Sequence, residues 1–263
     1  MSTMTYEQIL TETRGRVGII RLNRPSKLNA WTGQMGEEIA DQLRTWNADA
    51  GIGAIVLAAE GRAFCAGADI GGFAQRIETQ PATAERRQGG YSITKLLRES
   101  KPTVAAIQGY AAGIGLTLVL PCDVRIAAED ARLSIRFIKM GLMPELGSTR
   151  LLAQIAGLGN ATDMCLTGRF VEAEEALRIG LVSQVVPRED LLDAALAKAN
   201  EIANNPTGAV MMIKELLAQN PAEPDLDAVM AREQVNDEAA RRRPDHREAV
   251  AAFREKREAR FNQ

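Results

Sequence analysis

The chain has 263 residues, of which 46% are hydrophobic and 25% charged, and its formal net charge is −2. That length allows one large domain or a core with an appendage, and the near-neutral charge gives no general attraction for nucleic acid or a membrane surface. No apolar run reaches roughly 18 residues, so no membrane span is expected.

The N-terminal stretch MSTMTYEQIL has no basic segment followed by an apolar one. A secretory leader is therefore not expected, and a cytoplasmic location is. VGIIRL, 17–22, predicts a strand. Residues 33–48 carry Met35, Ile39, Leu43 and Trp46 at helical spacing. GAIVLAA, 53–59, is a short apolar run that fits a buried strand. Further strands are predicted at 103–109, 124–128 and 181–186, with helical stretches between them, which favours an α/β fold. After Pro187 the pattern turns helical, over 190–204, 207–219, 225–241 and 245–260, with 220–227 as a turn. This divides the chain into a core, 1–189, and a helical C-terminal region, 190–263.

The chemistry-bearing residues are unusual for what they lack. Cys65, Cys122 and Cys165 are odd in number and far apart, which suits free thiols in a reducing compartment. The one histidine, His246, lies in the charged stretch RRRPDHRE and reads as a solvated helix-end residue. A Ser-His-Asp triad and a histidine-based metal site are thus disfavoured, and proton chemistry would fall to a carboxylate. Two loops of small residues stand out: AFCAGAD, 63–69, and QGYAAGIG, 108–115. The second is no dinucleotide fingerprint, because Leu118 stands where a third glycine is needed.

The two loops in this order, each beside a strand, resemble the crotonase superfamily of enoyl-CoA hydratases and isomerases. LNRPSKLNA, 22–30, GLMPELGSTRLLAQIAG, 141–157, and LTGRFVEAEEALRIGLVSQVVP, 166–187, extend the resemblance on both sides. It implies an α/β crotonase-type spiral of ββα units, with residues 190–263 as a helical oligomerisation region. It further implies an acyl-CoA thioester substrate, with coenzyme A entering as part of the substrate. No separate cofactor, metal, nucleic acid or membrane partner is implied, and a homotrimer or dimer of trimers is.

By matching positions, the resemblance assigns two oxyanion-binding amides to Ala68 and Ile114. Such donors act on charge as it develops, with a helix N-terminus adding positive potential. Ile114 replaces the family glycine, so a normal helical start is expected there. Lys27, Ala66, Gly67, Asp69, Ile70, Gly115 and Phe137 are the implied contacts to the coenzyme A or acyl portion. Arg24 is a second candidate for the phosphates. Phe73, Met140 and Met143 are candidates for an acyl tunnel, with 71–92 as a flap.

Family hydratases carry two glutamates, and the matching positions here are Thr117 and Phe137. Glu145, in MPELGS, resembles the carboxylate that several family isomerases carry after the proline. One base suffices for a double-bond shift, so Ala68, Ile114 and Glu145 form the expected catalytic set. Asp69 and Asp123 read as loop anchors and Cys65 as packing. A hydratase, or an acyl-CoA-binding homologue without catalysis, stays open as an alternative.

Overall fold

The computed structural model describes residues 6–69, 71 and 93–262. Its strands are β1 Ile9–Arg14, β2 Val17–Leu22, β3 Ala54–Ala59, β4 Thr103–Ile107, β5 Tyr110–Ala112, β6 Val124–Ala128, β7 Arg132–Ser134, β8 Val171–Glu172 and β9 Gln184–Val186. Six of them form one sheet, in the order β1-β2-β3-β4-β6-β9, and β5-β7-β8 form a smaller one. In the large sheet β1 pairs antiparallel with β2, and every other neighbour is parallel. The expected α/β architecture is the one observed.

Helices cover both faces of the large sheet. They are α1 Gly33–Ala48, α2 Ile93–Glu99, α3 Ile114–Thr117, α4 Ser148–Ala156, α5 Leu158–Thr167, α6 Ala173–Arg178, α7 Leu191–Ala203, α8 Thr207–Gln219, α9 Leu226–Arg241 and α10 Pro244–Glu255. Helix α1 buries the four predicted residues, Met35, Ile39, Leu43 and Trp46, and the Thr32 hydroxyl caps it by accepting from the Met35 amide. Alternate strand residues divide the core in two. Ile20, Leu22, Ile55 and Leu57 face the side of α1. Ile19, Ala54, Val56 and Ala106 face Ala195 and Ala199 of α7. Small residues on both partners let this helix lie close to the sheet. The region expected to be helical from residue 190 therefore divides by packing. Helix α7 closes the sheet, while α8, α9 and α10 continue beyond it.

Several expected boundaries shift. The run 103–109 breaks at Gln108 and Gly109 into β4 and the start of the small sheet. The run 181–186 is a strand only from Gln184, because the amides of Leu181 and Val182 turn back to the Ala176 carbonyl. The last helix stops at Glu255, because Lys256 adopts left-handed geometry at φ 55°. Among the described residues no helix is long and apolar enough to cross a membrane.

One buried charge ties α8 to the core. The Lys214 side chain is 8% exposed, and its ammonium donates to the Leu97 carbonyl at 3.0 Å and to Asp123 at 2.8 Å. Asp123 also accepts from the Thr103 amide at the start of β4. Asp123 is thus the loop anchor that the sequence suggested. Lys214→Ala leaves that carboxylate and the Leu97 and Lys101 carbonyls short of a donor. It should lower stability by about 2–3 kcal/mol in urea unfolding, the partial exposure of Asp123 moderating the cost of a broken buried pair. A loss below about 0.5 kcal/mol would show that water replaces the ammonium.

Candidate active site

The two small-residue loops meet at the join between the sheets. Cys65 bridges to Ala111. Its amide donates to the Tyr110 carbonyl at 2.9 Å, and its own carbonyl accepts from Ala112 at 3.0 Å. Gly115 follows closely. A Cβ there would stand 2.2 Å from the Cys65 carbonyl oxygen, so only glycine allows this approach.

Each loop presents an amide from a fixed frame. On the first, the Gly67 carbonyl accepts from the Trp31 amide at 2.8 Å, and the Asp69 amide donates to the Trp31 carbonyl at 3.0 Å. Ala68 lies between these bonds. On the second, Gly113 adopts φ 55°, ψ −120°, and donates its amide to the Ser134 carbonyl at 2.9 Å. That left-handed geometry falls on the glycine and spares Ile114, which begins α3 as expected. Among the described residues, neither the Ala68 nor the Ile114 amide has an acceptor. One departure concerns the helix itself. Helix α3 has four residues, so its dipole adds less than a long helix would. What remains is the pair of amides without an acceptor among the described residues.

The positions of the absent glutamates flank this turn. Thr117 is fully buried, and its hydroxyl donates back to the Ile114 carbonyl at 3.4 Å. The Phe137 ring lies 4.0 Å from where a Cβ on Gly113 would stand. Its carbonyl accepts from the Leu142 amide at 3.0 Å, which folds 137–142 into a tight turn ahead of Glu145. Glu145 is half-buried, and its carbonyl accepts from Ser148 at the start of α4. Along the same segment Phe137 and Leu146 pack on the core, whereas Leu142 is 46% exposed. Met140 and Met143 are also exposed in this chain.

The cationic candidates separate. Lys27 ends a 3-10 turn, Pro25–Lys27, and is exposed. Arg24 instead donates to the Ala30 carbonyl and, at 2.8 Å, to Asp69. That hydrogen bond holds the Asp69 carboxyl below the usual carboxylate range. Ala66 is exposed, with its amide on the Leu28 carbonyl. Cys65 is fully buried, and burial pushes its thiol up to about 11, so it stays protonated and packs as expected. Ile70, Phe73 and the rest of 72–92 lie outside the described residues.

Sequence reasoning passed over Asn29 and Trp31. Asn29 is fully buried at φ 52°. Its side-chain amide donates to the Glu60 and Ala63 carbonyls, each at 2.8 Å, and its oxygen accepts from the Arg24 amide. An asparagine inside LNRPSKLNA was the available signal, since this residue tolerates left-handed turns.

A sequence model of the enoyl-CoA hydratase/isomerase family matches residues 12–263. The chain belongs to that family. It is 41% identical over 261 residues to the probable enoyl-CoA hydratase echA8 of Mycobacterium bovis, covering 98% of this chain and 99% of that one. It is 35% identical to the 1,2-epoxyphenylacetyl-CoA isomerase of Escherichia coli, covering 97% and 98%. The crystal structure of a putative enoyl-CoA hydratase from Streptomyces coelicolor superposes with a TM-score of 0.92 at 30% identity, covering 99% of this chain and 96% of that one. The fold is thus that of the crotonase superfamily. Such an enzyme acts on acyl-CoA, and hydratase and isomerase names both occur among its relatives.

Gly115→Ala tests the contact between the two loops. The methyl group must displace backbone, so the unfolding free energy should fall by about 2–3 kcal/mol. An unchanged urea midpoint would show that the loops have slack.

Proposed function

We propose that this protein shifts a carbon–carbon double bond in an enoyl-CoA thioester. Ala68 and Ile114 bind the thioester oxygen, and Glu145 carries the proton. The carrying observation is the pair of amides with no acceptor among the described residues, on two loops fastened together at Cys65, Ala112 and Gly115. Glu145 serves as a base on C2 of a 3-enoyl thioester. The C2–H electron pair forms a C1=C2 bond as the carbonyl pair moves onto the thioester oxygen, giving a conjugated dienolate that the two amides stabilise. The protonated Glu145 then delivers its proton to C4, and the 2-enoyl thioester results. One carboxyl group and one oxyanion hole balance this reaction, with no water consumed.

The residues flanking the turn support this over hydration. Hydration needs an activated water and a proton for carbon, which two carboxylates supply together. Buried Thr117 and the Phe137 ring occupy the corresponding positions, and neither is an acid or a base. Hydration of a 2-enoyl-CoA is the second reading, favoured by the name of the 41% identical relative.

The proposal includes assembly as a homotrimer or a dimer of trimers. Ile213, Leu217, Leu226, Met230 and Val235 expose apolar surface on α8 and α9, which supports a subunit contact there. Light scattering should then give a mass of three or six chains.

Turnover in D₂O decides between the reactions. The wild type should convert 3-enoyl-CoA to 2-enoyl-CoA without adding water, and Glu145→Gln should abolish this. Hydrated product that survives Glu145→Gln would overturn the assignment. Ile114→Pro removes one donor at a helix start that accepts proline. It should leave the fold intact and lower kcat by roughly 10²–10³.

A further inference from the structure

The Ala68 amide is useful only if it is held still. Among the described residues it has no bond of its own to hold it, so its neighbours must. Gly67 and Asp69 both bond to Trp31, at 2.8 and 3.0 Å. The stiffness of Ala68 therefore depends on what fixes the chain at Ala30 and Trp31.

Arg24 does this from both sides. One guanidinium nitrogen donates to the Ala30 carbonyl, and another donates to the Asp69 carboxylate at 2.8 Å. One planar group thus joins the two chain segments that bridge at Trp31 and Ala68. The second Asp69 oxygen accepts from the Gly71 amide at 3.2 Å. Behind Arg24, its backbone amide donates to Asn29 at 2.7 Å, and Asn29 is fastened to Glu60 and Ala63. The side chains of Arg24 and Asp69 are 20% and 33% exposed, which sets them apart from a freely solvated surface pair.

We propose that Arg24 and Asp69 are positioning residues, a charged clamp that aims the Ala68 amide at the thioester oxygen. This rests on Ala68 being an oxyanion donor. It reassigns both residues away from direct coenzyme A contact. The chemistry suits arginine in particular. A guanidinium offers several donors in one rigid plane, whereas lysine offers a compact point charge on a flexible stem and holds two acceptors less rigidly. Displacing a catalytic group by about 1 Å can cost 10²-fold in rate, so a loosened clamp should be visible in kcat.

The test compares wild type, Arg24→Lys and Asp69→Asn as full-length protein. It measures kcat and KM on an enoyl-CoA that the wild type turns over, and calorimetric Kd for coenzyme A and for dephospho-coenzyme A. It also records the infrared carbonyl band of a bound saturated acyl-CoA carrying ¹³C at the thioester carbon. The expected result is a kcat lower by roughly 10- to 100-fold in both variants. Both Kd values should stay at wild-type level, and the downward shift of the carbonyl band on binding should shrink.

A weakened Kd for coenzyme A with unchanged kcat would overturn the proposal and make Arg24 a phosphate ligand. Unchanged kcat and an unchanged band in both variants would also overturn it. A wild-type band that does not shift on binding would remove the oxyanion role of Ala68 itself, and the clamp with it. Circular dichroism checks folding, and if Arg24→Lys does not fold, Asp69→Asn decides alone.

Discussion

The close approach of the Cys65 carbonyl to Gly115 is the constraint on which the site depends. It brings together two segments some 50 residues apart with no side chain between them. The Cys65–Ala111 bridge fixes their register, and the bond from Ala112 to Cys65 fixes their distance. Within that frame each loop has one amide with no acceptor among the described residues. Ile114 is buried and Ala68 half-buried, so these amides lie where a bound acceptor would be favourable.

The rest of the structure can be understood as support for that frame. The parallel strands β3, β4 and β6 are buried on both faces, and they set where the chain emerges toward each loop. Asp123 ties the start of β4 to the turn before β6, and Lys214 ties both to α8. On the other side, Asn29 holds the backbone around Arg24 to the segment 60–63. Asp123, Lys214 and Asn29 thus serve the frame by holding backbone groups.

Much of this was legible in the sequence, for reasons that differ by element. Ala54–Ala59 and Thr103–Ile107 read as strands because burial on both faces makes them continuous apolar runs. Strand β1 did not, because it lies at the sheet edge and buries only Ile9. The strands of the small sheet are two or three residues long, too short to show a period. The glycines of the turn were visible because each marks a constraint, Gly115 a place where a Cβ cannot fit and Gly113 a positive φ. Asp69 as a loop anchor was visible too. Its partner was not, because Arg24 lies 45 positions away and that distance is closed only by the fold.

The same contrast bears on how reaction type is encoded. If the Ala68 and Ile114 amides are the oxyanion donors proposed above, their contacts are insensitive to side-chain identity and leave the reaction open. What varies is the handful of side chains around the turn. Thr117 turns its hydroxyl onto the Ile114 carbonyl, and Phe137 offers only ring carbons beside Gly113. On the proposed reading, a site that keeps the two amides and has no carboxylate at 117 or 137 would stabilise an enolate without activating water. A carboxylate on the next segment, in the turn leading into α4, can then govern the proton alone. Changing chemistry this way requires few substitutions and no change of frame, because the frame is held by residues that never touch the reacting atoms.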